Sequence, residues 1–220
     1  MSKPTSKITR TINSEQVLTA FVAVVRKNLP LNLKNTRITE DDIIYALAYA
    51  NVHRLSIESA CQELQGAPSG NRLREVLVDA LPDRIGMQRM LNRMFRQQLH
   101  PSIWKGKRDF NIAIDLTLIP YHGQPYEDKK EIVRSLPKSG TTHFHGYATV
   151  SIVRDDRRYV VALHFIEYGE EMADIVRWLI KRLKTLKIRI RRVFLDKGFC
   201  SKPVFKVLNQ HKLSYITPIP

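Results

Sequence analysis

Two aspartates of this chain stand where carboxylates are costly. Asp115 lies inside the apolar run Phe110–Leu118, FNIAIDLTL, and Asp196 directly follows Val193-Phe194-Leu195. A carboxylate within an apolar strand costs several kcal/mol unless a cation or hydrogen bonds compensate. Two such acids at neighbouring strand ends also repel each other, and a divalent cation between them removes both penalties. The chemistry open to this pair is therefore the holding of a hard cation by oxygen ligands. The plainer reading is that each aspartate caps the turn that follows it.

For the two acids to meet, the elements around them must bring them together. Phe110–Leu118 is nearly continuous in apolar residues, as buried central strands are. Phe144–Val153 and Arg158–Ile166 read as two further strands, and Arg154-Asp155-Asp156-Arg157 between them reads as the turn of a hairpin. Glu170–Leu186 has apolar residues at helical spacing, with acids at its start and bases at its end, as the helix dipole prefers. Ile190–Leu195 is a strand, Ser201–His211 a helix, and Leu213–Pro218 begins a further strand. Residues 101–220 thus run strand, strand, strand, helix, strand, helix, strand, an α/β order.

The local sequences around the acids carry a resemblance. IAIDLTLIPYHG (112–123) resembles the first-aspartate strand of insertion-sequence transposases, in which Thr or Ser follows two positions after the Asp. VFLDKGFCSKPVF (193–205) resembles their second-aspartate motif, in which Asp, a basic residue, Gly and an aromatic precede a helix. The acids are 81 positions apart, which leaves room for the hairpin and helix between them. The resemblance is to DDE transposases of prokaryotic insertion sequences and covers about residues 105–220. It implies a ribonuclease H-like mixed sheet, incomplete in this chain, preceded by an all-α region. It also implies Asp115 and Asp196 as catalytic residues and as ligands of Mg2+ or Mn2+. In that family three carboxylates hold two metals for attack on a phosphodiester. The third is a later Glu in a segment with Tyr, Arg and Lys. No Asp or Glu occurs between Lys197 and Pro220, so the chain offers no third acid there and is expected to be inactive alone.

Residues 1–100 read as a separate helical, DNA-binding region before a catalytic domain at 101–220. Residues 1–12 are basic and polar and read as frayed. From Ser14, Val17, Leu18, Phe21, Val24 and Val25 recur at helical spacing up to Pro30. Thr39 caps a helix rich in early acids, with Ile43, Ile44, Leu47, Ala48 and Val52 on its inner face. Ser56 caps the next helix, Pro68-Ser69-Gly70 turns, and a third helix runs from Asn71 to Leu81. A fourth covers about Asp83–Leu99. The three short helices suit a helix-turn-helix, with Arg72 and Arg74 at the start of the last one, where recognition helices meet base edges. A plain helical bundle accounts for them equally well.

The net charge of +15 and pI of about 10.0 make a polyanion the expected partner, and double-stranded DNA is the one the resemblance implies. Basic residues gather around the second acid: residues 177–212 hold twelve Lys or Arg against Asp196 alone. Lys187, Arg189, Arg191, Arg192 and Lys197 are the phosphate contacts expected beside the metal site. A solvated helix end and strand edge is the competing account. Action on paired DNA ends implies a homodimer. His122, His143, His145 and His164 fit no zinc spacing. Trp104, Tyr121 and Tyr126 are available to stack on bases or to pack, and Gly123 and Gly140 read as turn formers. Cys61 and Cys200, far apart, read as reduced thiols of a cytoplasmic protein. The apolar stretch Val17–Val25 is too short to span a membrane. Two other readings stay open. One is a different ribonuclease H-like nuclease, with Glu170, Glu171 or Asp174 completing the acids. The other is a non-catalytic DNA-binding protein.

Overall fold

A computed structural model describes residues 13–34, 36–101, 103, 108–123, 129–154 and 157–218. Residues 1–12, whose composition reads as frayed, and Trp104, Tyr126, Asp155 and Asp156 lie outside them. The chain forms two compact units that divide between Asp83 and Arg84.

In the first unit α1 is Ser14–Asn28, α2 Glu40–His53, α3 Ile57–Glu63 and α4 Gly70–Ala80. Thr39 and Ser56 cap α2 and α3 as their types predict, each accepting an N–H from three residues on. Ser69, which reads as a turn residue, does the same for α4. Ile43, Ala46, Cys61, Leu73 and Leu77 form the shared core. Gly70 is needed where α4 meets α3, because a Cβ there would sit 2.5 Å from the Glu58 Cα. The inner face of α1 differs from expectation. Its buried positions are Val22, Val25 and Asn28, while Val17, Leu18 and Phe21 are exposed, as is Val52 on α2.

The second unit is built on a six-stranded mixed sheet. Its helices are α5 (Arg84–Gln98), α6 (Met172–Thr185) and α7 (Lys202–Gln210). Its strands are β1 (Asp109–Pro120), β2 (Val133–Lys138), β3 (Thr141–Arg154), β4 (Arg157–Ile166), β5 (Arg189–Leu195) and β6 (Tyr215–Ile216). β1 pairs antiparallel with β3 and parallel with β5, and β5 pairs parallel with β6. The long β3 takes β2 along its first residues and β4 from Gly146 onward. Three antiparallel strands followed by two parallel to the first, with α6 and α7 as the crossovers, is the ribonuclease H-like arrangement the resemblance implied. Phe110, Ile112 and Ile114 alternate onto one face of β1 and pack under α6 and α7 with Ile175, Leu179 and Val204. The odd-numbered residues of β1 therefore point to the opposite face. Strand β2 has no sequence signal: VRSLPK offers only Val133 half-buried, and its order comes from pairing with β3. β6 pairs over two residues rather than the six expected.

The helix α5 belongs with the sheet rather than with the helical region to which its sequence position assigned it. Among the described residues strand β4 pairs with β3 on one side only, and α5 supplies the other side from its side chains. The buried Asn92 donates its Nδ2 to the Leu163 carbonyl at 2.8 Å and accepts the Leu163 N–H at 2.9 Å. Gln88 accepts the Phe165 N–H at 2.6 Å, and Arg84 donates to the Ile166 carbonyl at 2.7 Å. An open strand edge is thereby closed by one helix. Asn92→Leu keeps the volume and strands both polar groups of Leu163, so it should destabilise the unit by about 2–3 kcal/mol. Chemical denaturation monitored by circular dichroism measures this, and an unchanged midpoint would show that water satisfies the β4 edge.

Candidate functional site

Asp115 lies on β1 opposite Thr149 of β3, and β5 runs alongside on the other flank. The parallel register ends with Ile114 beside Leu195, and the Asp196 N–H then donates to the Ile114 carbonyl at 3.1 Å. Asp115 and Asp196 are thus the next pair of neighbours, on strands about 4.8 Å apart. Ile114 and Leu195 are both core residues, so the following position on β1 turns to the opposite face, away from α6 and α7. Asp115 is exposed and Asp196 half-buried.

The residues after Asp196 hold it there. Lys197–Phe199 form one 3-10 turn, and the Lys197 N–H donates to Asp196 Oδ1 at 2.6 Å. Phe199 is fully buried in the core below. Gly198 passes so close to β1 that a Cβ would lie 2.9 Å from Leu116 Cδ2. The Asp-basic-Gly-aromatic pattern therefore has a physical content. The aromatic anchors the turn, the glycine lets it lie against β1, and the turn's first N–H orients the carboxylate.

Oδ2 of Asp196 and both oxygens of Asp115 have no hydrogen-bond or ion-pair partner among the described residues. Two adjacent carboxylates with no cation paired to them among the described residues repel, and hard oxygen donors of this kind suit a divalent cation that keeps several waters. The donor set therefore fits Mg2+ or Mn2+. No third Asp, Glu, His or Cys joins the pair among the described residues. Two of the acids weighed as a third ligand are engaged elsewhere. Glu170 bonds His164 Nε2 at 2.7 Å and accepts the Glu167 N–H at 3.1 Å, and Asp174 pairs with Arg177. Asp174 also starts the helix that packs on the face away from Asp115. His145 packs against Tyr121 edge to face.

The basic run does not lie where sequence order suggests. Arg189 pairs with Asp109 and Arg192 with Asn111, so they stand six and four positions before the level of Asp115. Their sheet end is the one opposite the acids. Lys197 alone of the expected phosphate contacts adjoins the pair, and it is exposed. Lys187 sits at positive φ after α6. In the first unit, the Arg72 N–H donates to the capping Ser69 hydroxyl, and the Arg72 guanidinium pairs with Glu75 at 2.9 Å. Arg74 bonds Asn71 and approaches Glu58 at 3.6 Å. Sequence reasoning missed Gly198 and Phe199 as positioning residues, although both are in the motif it singled out.

Residues 111–220, which include both aspartates, match the family described as transposase DDE domain. Among solved structures, a piggyBac transposase synaptic complex with hairpin DNA is similar at 14% identity, over 91% of this chain and 45% of that chain, with a TM-score of 0.49. A Drosophila P element transposase strand transfer complex is similar at 13% identity, over 91% and 43%, with a TM-score of 0.37. The chain spans roughly half the length of these structures. No curated relative matches. No helix among the described residues is long and apolar enough to cross a membrane.

The pair makes a direct prediction. Mn2+ titrated into the chain and followed by the loss of its free-ion magnetic resonance signal should bind weakly. Asp115→Asn and Asp196→Asn should each lower the affinity by more than the roughly 10-fold that losing an outer-sphere partner costs, and Glu170→Gln should not. Equal loss in Glu170→Gln would move the metal to the α6 side of the sheet.

Proposed function

We propose, on the premise that the chain belongs to the transposase DDE domain family, that it carries the first two metal-binding carboxylates of an enzyme that cuts DNA at element ends and joins them to a target. The observation that supports this most is the neighbouring register of Asp115 and Asp196 beyond Ile114 and Leu195, with no Lys or Arg neutralising either acid among the described residues. A divalent cation bound there, Mg2+ or Mn2+, supplies charge stabilisation to the attacking and leaving oxygens of a phosphodiester. The protein's own part is to hold the ligands. Strand β1 fixes Asp115, and the Lys197 N–H fixes one oxygen of Asp196. The exposed Lys197 side chain adds a positive charge beside the reacting phosphate, where a contact positions the backbone without reading sequence. Double-stranded DNA is the substrate in this reading. A second copy of the chain on the paired end and action in the cytoplasm, where Cys61 and Cys200 stay as the free thiols they are, complete it.

In-line displacement with two metals needs a further carboxylate to fix the second ion. Among the described residues two come together, and Glu170 and Asp174 are committed elsewhere. Purified chain with Mg2+ or Mn2+ should therefore leave supercoiled plasmid intact. Nicking that disappears in Asp115→Ala, Asp196→Ala and Glu171→Ala would instead support a ribonuclease H-like nuclease that completes its own site.

A further inference from the structure

The sheet gathers arginines at the end away from the acids. Arg108 precedes β1, Arg154 ends β3, and Arg191 lies in an irregularity of β5 between Ile190 and Arg192. These three line one polar depression of about 170 Å3, with Asp109, Asn111 and Val153. Around it, Arg154 stands directly opposite Arg157 and Val153 opposite Arg158 in the β3–β4 ladder, and Arg189 and Arg192 flank it on β5. All seven arginines are exposed. The described acid among them, Asp109, is committed to Arg189 at 2.7 Å. Arg108, Arg191 and Arg192 pair with no acid among the described residues.

Such an arrangement costs stability. Arg108, Arg191 and Arg192, exposed and with no acid partner among the described residues, repel one another. A phosphate backbone offsets this cost, because each guanidinium forms paired hydrogen bonds to phosphate oxygens and releases counterions. The depression has room for a phosphate group, and the flanking arginines extend the positive surface on both sides of it.

We infer that this sheet end is a separate binding tract for the phosphate backbone of duplex DNA, centred on Arg108, Arg154 and Arg191 and distinct from the acid pair. The inference rests on the proposal that DNA is the substrate, and it adds where the duplex is gripped. The level of Asp109 and Arg189 is six strand positions from Asp115, about 20 Å at ~3.3 Å per residue.

The test is duplex binding by the full chain in EDTA, which takes the metal site out of the measurement, over a series of salt concentrations. Replacing Arg108, Arg154 and Arg191 together by Ala should weaken binding to any sequence and flatten the log–log salt dependence by about 0.9 for each phosphate that is no longer neutralised. The triple Lys variant keeps the charge and should restore most of the slope, which separates an effect of charge from an effect of misfolding. Removal of Lys181, Lys184 and Lys206, on the outer sides of α6 and α7, should change the slope less. Two results overturn the inference: an unchanged slope in the arginine triple, or an equal flattening in the lysine control, which would mean that net charge alone sets binding. A wild-type chain that binds no duplex at all would instead remove DNA as the substrate, and only that result reaches the proposed function.

Discussion

The hydrogen bond from the Asp196 N–H to the Ile114 carbonyl is the contact on which the rest of the candidate site depends. It closes the parallel register of β5 on β1, and so determines which residue of one strand lies beside which residue of the other. A slip of one position would turn every side chain of β5 to the other face, burying Asp196 against the helical layer and exposing Leu195. What prevents the slip is the core. Val193 and Leu195 are nearly or fully buried beneath α6 and α7, and Phe199 is drawn into the same core one turn later. The apolar residues on one face thus fix the positions of the charged ones on the other.

That division of labour explains which features were legible in the sequence. β1, β3, β4, α6 and α7 are long or strongly patterned, and their residues announce their own faces. Asp115 and Asp196 stood out because carboxylates are anomalous in such runs. β2 was illegible, since a polar strand such as VRSLPK is ordered by its partner and not by its own composition. The placement of α5 was illegible for a related reason. Asn92, Gln88 and Arg84 look like polar positions of an amphipathic helix, and only the open edge of β4, some seventy or more residues later, gives them their role. The apolar spacing of α1 was legible but its inner face was not, because spacing identifies a stripe and not the neighbour that covers it.

The basic run shows a different limit. Lys187–Arg192 is close to Asp196 in sequence, and closeness in sequence suggested a place beside the acids. A strand separates its two ends, however, and β5 carries its arginines at one end and its aspartate at the other. Proximity along a strand is distance in space, about 3.3 Å for every residue.

This separation is chemically necessary if the acids are to hold a cation. A guanidinium within about 4–6 Å of either carboxylate would favour its charged form and occupy its lone pairs, much as Arg189 occupies Asp109. The pair would then be a salt bridge rather than a ligand set. At about 13 Å for Arg192 and about 20 Å for Arg189, at ~3.3 Å per strand residue, the arginines lie beyond the screening length of roughly 8 Å at physiological ionic strength, so the two exposed charge clusters are only weakly coupled. One end of the sheet can then present positive charge to a polyanion while the other keeps a negative pair for a divalent ion. The solvent does the screening, and the sheet sets the separation: its core residues Ile112, Val150 and Val193 stand between the two ends and carry no charge.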